Sequence, residues 1–243
     1  MTILLTGASG FIGSNFHQHF KDKYNIICID RTSGQDLLTC ELPEADVIIH
    51  LAGLSGVRDS LENPTEYWKQ NVLVTKRLFD RYGPRKRILY ASSSTAYEPW
   101  RNPYAFSKYA MEEIAPPNSL GMRFTTVYGP GARENMLIPK ILRNDVQYIN
   151  VNHTRDFIHV DDLIAAINLL IDKRQINGII DIGTGITHKL TDILNHFGIE
   201  VPNTMGDESE RLDNKAYIGL LEKYGWKPHI NLYKYIQMNR IIN

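Results

Sequence analysis

Short apolar runs alternate with longer stretches in which apolar residues recur every three or four positions, and this alternation holds through the first half of the chain. ILLTG (3–7), IICID (26–30), VIIHLAG (47–53), RILYASS (87–93) and LGMRFTTVYG (120–129) read as strands. Between them, 11–22, 64–82 and 104–115 carry apolar residues at helical spacing. The stretch from Thr65 to Tyr82 also has boundary signals, Asn63-Pro64 before it and Gly83-Pro84 after it. Strands joined by amphipathic helices predict an α/β fold with a doubly wound parallel sheet, Rossmann-like in kind. Past VYGPGAR (127–133) the alternation loosens. A helix near 135–144, one over 163–173 capped by Asp161-Asp162, a strand GIIDIG (178–183) and late helices at 187–197 and 213–224 predict a smaller, mostly helical C-terminal lobe. The division expected is 1–128 for the sheet domain, with 155–184 returning a helix and a strand to it, and 129–243 mainly for the lobe.

Chemistry enters with Gly7, Gly10 and Gly13, staggered between the first strand and the first helix. Small residues there let the backbone turn sharply and approach a pyrophosphate, whose charge sits at the positive end of the helix. A plain tight turn has the same look. Asp30 adds a second link: it ends the next strand, 17 residues after Gly13, where a carboxylate accepts hydrogen bonds from an adenosine ribose. Such a carboxylate repels a 2′-phosphate and favours NAD over NADP, a preference that Arg31 beside it softens.

Tyr104 and Lys108 stand four apart on a predicted helix and so reach one small volume. An unperturbed phenol titrates near 10 and is a poor base at neutral pH, but a neighbouring ammonium together with the positive nicotinamide ring favours phenolate and lowers that value. Eleven residues before Tyr104, the hydroxyls of Ser92-Ser93-Ser94-Thr95 close the fourth strand, at the sheet edge where doubly wound folds bind ligands.

Charge and composition remove other classes. Lys plus Arg and Asp plus Glu balance at 27 each in 243 residues, and the longest basic run is RKR at 85–87, so neither nucleic acid nor a membrane surface is an expected partner. The chain starts directly in a strand without a leader pattern, and no apolar run approaches the roughly 18 residues of a membrane span, which reads as cytoplasmic. Cys28 and Cys40 lack metal or redox spacing, and His17 and His19 point to different helix faces, so no metal is expected.

These motifs resemble those of the extended short-chain dehydrogenase/reductases, in particular the NAD-dependent nucleotide-sugar epimerase/dehydratase family, and the likeness runs over nearly the whole length. TGASGFIGS resembles the cofactor loop, HLAGLSGVRDSLENPTEYWKQNV the segment under the nicotinamide, and SSSTAY followed by PYAFSK the catalytic region. RFTTVYGP, RDFIHVDDLIAAI, DIGTG and YGWKP follow in the family's order. The resemblance implies Tyr104 as acid/base, Lys108 as its partner and ribose anchor, and Ser93 as the hydroxyl that holds the reacting oxygen. It implies an NAD site made by Gly7, Gly10, Phe11, Ile12, Gly13, Asp30 and Arg31, by the adenine-flanking pair Asp36-Leu37, and by a wall of Leu51, Ala52, Gly53 and Asn71.

Family dehydratases carry an acidic pair directly after the catalytic hydroxyl, where this chain has Ser94 and Thr95. RFTTVYGPGARENM and GVRDSLENP look instead like the counterparts in UDP-uronate 4-epimerases, with Thr126 where many relatives carry Asn. The function implied is NAD-dependent 4-epimerisation of a UDP-uronate or UDP-hexose, with surface-polysaccharide sugar supply as the usual setting of relatives. Ser94 and Thr126 would grip the sugar, and Arg133 and Arg155 its diphosphate. A ketosugar reductase is the alternative, ahead of a dehydratase or a non-catalytic dinucleotide-binding protein.

Three departures bear on this. Ser93 and Tyr104 lie only eleven apart, so the loop that covers the substrate in relatives is short here and the site is expected to be open or differently covered, with Trp100 a candidate for the sugar pocket. Pro116-Pro117 truncates one of the helices (65–82 and 104–115) through which relatives form homodimers. Thr204-Met205 stand where relatives have an arginine before the Gly-Asp at 206–207, with Arg211 as the nearest substitute. His159 is expected to be packed or hydrogen-bonded, Trp226 to be a turn residue packed under the late helix, and the aromatic set Tyr67, Trp68 and Tyr97 to be mostly core or interface.

Overall fold

A computed structural model of the protein describes residues 1–83 and 85–241. Pro84, half of the stop signal at Gly83-Pro84, lies outside the described residues. The first five strands are β1 (Thr2–Thr6), β2 (Asn25–Ile29), β3 (Val47–His50), β4 (Arg87–Ser93) and β5 (Ser119–Phe124). After them come β6 (Thr126–Tyr128), β7 (Ile149–Asn150), β8 (Thr154–His159), β9 (Gly178–Ile182), β10 (Thr187–Lys189) and β11 (Asn203–Thr204). The main sheet is all parallel in the order β2-β1-β3-β4-β5-β9, a doubly wound arrangement. Winding reverses between β1 and β3, which opens a crevice beyond their C-terminal ends.

Helices cover both faces because both faces of these strands are apolar. Ile3, Leu5, Val47 and Ile49 pack under α1 (Phe11–Phe20) and, later in the chain, α7 (Val160–Asp172). Leu4, Ile48, Ile88 and Tyr90 pack under the opposite helices. These are α4 (Val74–Tyr82) and α5 (Pro103–Glu113), with α2 (Val57–Glu62) and α3 (Pro64–Tyr67) packed against α5. The helix expected over 64–82 is interrupted: α3 and α4 are joined by a wider π turn over Trp68–Leu73.

The C-terminal lobe carries α6 (Leu137–Leu142), α8 (Leu190–His196) and α10 (Leu232–Asn239) around a third core that includes Ile138, Ile141, Ile193 and Ile236, while α9 (Gly219–Lys223) sends Leu221 into the core under α1 and α7. It is less helical than its pattern predicts. The run 120–129 is not one strand: β5 stays in the main sheet, and β6 leaves it at Thr125 to pair with β8, which also pairs with β10. A continuous apolar run does not reveal which sheet each half joins. Likewise the helix expected at 187–197 begins with β10. The one expected at 213–224 is irregular up to Gly219, because Ala216 N and Tyr217 N donate to the Asp156 and Asp181 carboxylates (3.1 and 2.9 Å) rather than along a helix.

The cap of α7 is His159, not Asp161-Asp162: its Nδ1 accepts from Asp161 N at 3.1 Å. Asp162 accepts from His229 N and Ile230 N (3.1 and 2.9 Å), tying the C-terminal segment to the sheet domain, and Trp226 Nε1 donates to the Asp162 carbonyl at 3.2 Å. Among the described residues no helix is long and apolar enough to cross a membrane, and no cluster of metal-ligating side chains forms.

Candidate active site

β1 runs straight into Gly7, whose φ of +73° an L side chain rarely adopts. A Cβ on Gly7 would lie 2.6 Å from Ala52 N, and one on Gly13 2.0 Å from the Gly7 carbonyl oxygen. Absent side chains thus let α1 press against the turn and leave its N-terminal N–H groups facing the crevice. On one side a hollow of about 280 Å³ is lined by Asp30, Arg31, Asp36, Leu37 and Ala52. Asp30 accepts from Ser9 N at 3.1 Å and from Thr32 N at 2.9 Å. Burial works to raise its carboxyl, but the bonds from Ser9 and Thr32 win and hold it below the ordinary value, so it is anionic at neutral pH.

On the other side the crevice widens into a cavity of about 550 Å³. Gly7, Gly10, Phe11, Ile12, Gly13, Leu51 and Gly53 form its floor at the sheet end. Ser93, Ser94, Tyr104 and Lys108 form one wall, and Thr126, Arg133 and Arg155 face them from the lobe. Lys108 Nζ donates to the Ala91 carbonyl at 2.8 Å. Burial pulls its ammonium down to about 8, against the opposing pull of the Glu112 carboxylate. Tyr104 is pushed up by burial, with Ser93 and Arg133 acting in the other direction. The expected lowering of the phenol therefore does not hold in the protein alone, where desolvation of the phenolate outweighs the polar groups around it.

A glycine-walled cradle beside an anionic strand-end aspartate fits a dinucleotide: a close pyrophosphate approach is open, and a ribose acceptor waits at the right end. The profile of the NAD dependent epimerase/dehydratase family matches residues 3–183. The chain belongs to this family. As a member it is an NAD-dependent enzyme, with NAD as its cofactor. It is 30% identical to a putative UDP-glucose 4-epimerase of Methanocaldococcus jannaschii, over 99% of this chain and 97% of that protein. A probable UDP-glucuronate 4-epimerase of Rhizobium meliloti is 27% identical over 95% and 84% of the two chains. Among solved structures, MoeE5 in complex with UDP-glucose and NAD superposes with a TM-score of 0.87 at 26% identity, covering 98% of this chain and 97% of that one.

Two residues read as site components in this epimerase/dehydratase family member stand elsewhere. Asn71 is fully buried behind the cofactor wall, where its Oδ1 accepts from Leu54 N (2.7 Å) and its Nδ2 donates to Ser107 Oγ (2.8 Å), so it shapes the wall from behind. Trp100 is 76% exposed and lines a surface groove away from the cavity. The cavity is instead covered from the lobe. Arg101 Nη1 and Asn102 Nδ2 donate to the Glu208 and Ser209 carbonyls (2.6 and 2.8 Å), fastening 206–214 over the short connection. Glu210, Arg211 and Asn214 thereby enter the cavity wall.

Arg211 donates to the Ser94 carbonyl, and Asn214 Nδ2 donates to Thr126 Oγ1 at 3.0 Å. Of these three only Arg211 has a sequence signal, its nearness to the Gly-Asp step. Tyr97 is no core residue: its hydroxyl donates to Asp181 at 3.1 Å, and its ring carries Arg123 and Arg211 at 4.0 and 5.2 Å. Arg133 Nη1 donates to the Ser55 carbonyl at 2.9 Å, and Arg155 pairs with Glu210 at 3.7 Å rather than with Asp156.

Proposed function

We propose that the protein interconverts the C4 configurations of a UDP-linked hexose or hexuronate. The observation that carries this reading is the placement of Ser93, Tyr104 and Lys108 on one wall, between a dinucleotide cradle and a lobe that contributes Arg133 and Arg155. Relatives named as UDP-glucose and UDP-glucuronate 4-epimerases support the substrate class. Bound in the cradle, NAD supplies the acceptor and donor of hydride for a sugar carbon. Tyr104 takes the proton of the sugar hydroxyl and gives it back, Ser93 holds the reacting oxygen, and Lys108 keeps a positive charge close to the phenol.

Arg133 and Arg155 hold the diphosphate, and the hydroxyls of Ser94 and Thr126 meet the substituent at C5 without an opposing charge. A neutral grip lets the sugar turn over between the two half-reactions. Dehydration would need a free carboxylate beside the hydroxyls. Glu210, the carboxylate in the wall, is paired with Arg58 and Arg155, and Glu98 with Arg101 and Arg211.

The test is an NMR time course with UDP-glucuronate, UDP-glucose and their C4 epimers, with catalytic NAD and absorbance followed at 340 nm. Appearance of the C4 epimer without net absorbance change is expected. Stoichiometric NADPH consumption on a 4-keto sugar would replace the reading with a reductase.

We also assign the outer face of α3 to α5 to a second copy of the chain. Trp68 and Phe106 stack there at 5.9 Å while both remain exposed, with Leu73 in the same π turn as Trp68 and Ile114 just past the end of α5. Sedimentation of the wild type is expected to give a dimer, and Trp68→Glu/Phe106→Glu a monomer; a monomeric wild type would remove the assignment.

A further inference from the structure

Tyr104, Lys108 and Glu112 are spaced by four on α5 and so share one helix face. The Glu112 side chain is 4% exposed, in a setting where an ionised carboxylate persists only with partners. Arg123 on β5 donates Nε to Oε1 at 2.8 Å and Nη2 to Oε2 at 2.5 Å. Ser92 Oγ on β4 donates to Oε1 at 2.5 Å. Ser92 lies between Ala91, whose carbonyl takes the Lys108 ammonium, and Ser93. Consecutive residues of β4 therefore meet the helix face that carries Lys108 and Glu112.

We infer that Glu112 is a positioning residue: it supplies the counter-charge one turn from the Lys108 ammonium and, through Ser92, clamps the strand end that presents Ser93 to Tyr104. This rests on the reading of Lys108 and Tyr104 as the catalytic pair. The other ionisable groups around Lys108 and Glu112 leave that task to Glu112. His50 from β3 is kept neutral, its burial and then Lys108 bringing it to about 3. Tyr90 from β4 is driven up by burial and then by Glu112, so its phenol stays protonated. Arg123 from β5 spends its charge on Glu112, and Tyr104 on the same helix is raised by burial. Glu112 is the charge that opposes burial at Lys108.

The sign follows. An ammonium held near 8 is lost as pH rises through that value, and without Glu112 it is lost at lower pH. Glu112→Gln is expected to move the alkaline limb of the kcat profile to lower pH by roughly one unit, and to move the Lys108 Nζ titration, followed by NMR in the free protein, by the same amount. Glu112→Asp, which keeps the charge, should restore both to near wild type. Gln leaves the Arg123 charge buried without its partner, so Glu112→Gln/Arg123→Gln carries the same expectation if the single variant does not fold. An unmoved Nζ titration in a folded Gln variant overturns the inference, even where kcat has dropped. A moved titration in a protein that turns over no UDP-sugar upholds the charge role and overturns the proposed function instead.

Discussion

Replacing Tyr104 with phenylalanine is expected to lower kcat/KM on the UDP-sugar by about a thousandfold or more, with the fold and NAD binding kept. In the proposed mechanism this hydroxyl, on the cavity wall and bonded to Ser93, carries the proton, so its loss would remove the step rather than the binding surface. Tyr67 is a second phenol close by, its ring lying edge-on to Tyr104 with centroids 6.0 Å apart. Burial, with Asp59 and Tyr104 behind it, pushes Tyr67 up to about 12, so its phenol stays protonated at neutral pH, and it lies outside the cavity lining. Tyr67→Phe should therefore cost less than tenfold. Turnover by NMR and NAD binding by calorimetry check both variants. Residual activity of Tyr104→Phe within tenfold of wild type would remove Tyr104 from the mechanism.

The second large effect is expected at Gly13, where alanine should destabilise the protein by about 3 kcal/mol and weaken NAD binding beyond easy measurement. A Cβ there would sit 2.0 Å from the Gly7 carbonyl oxygen, 2.8 Å from Gly7 C and 3.0 Å from Ala8 Cα. All three are backbone atoms of the turn, which itself presses on Ala52 at the next strand end, so nothing can give locally. Relief requires α1 to lift from β1, which both exposes core around Phe16 and spoils the cradle. The expected fall in melting temperature is roughly 6–12 °C. Gly219→Ala is the control: nothing lies within 4 Å of a Cβ at Gly219, and stability should hold or rise slightly. An unshifted melting temperature and unshifted NAD affinity in Gly13→Ala would mean that the turn is not the close-packed cradle described.

The parts of the molecule legible in the chain are those whose cause is local. Apolar runs such as ILLT and VIIH are strands because every residue in them is buried on one face or the other, and the amphipathic period of 104–115 gives α5 because one face alone meets the sheet. The glycine stagger and the four-residue spacing of Tyr104 and Lys108 are also local geometry, and they place both at the edge of one cavity.

Tertiary structure decided what depends on partners far along the chain. The chain breaks at Thr125, between β5 and β6, and β6 joins a different sheet because β8, some thirty residues on, offers the pairing. His159 caps α7 so that Asp162 is free to hold residues 229 and 230. Asn71 faces Leu54 and Ser107 instead of the cofactor wall, and Trp100 turns to solvent because 206–214 already covers the short connection. Arg211 reaches Ser94 across 117 positions, a contact with no period to announce it. Periodicity records which face of one element is buried, whereas a hydrogen bond between distant loops is set only when the sheet has brought their ends together.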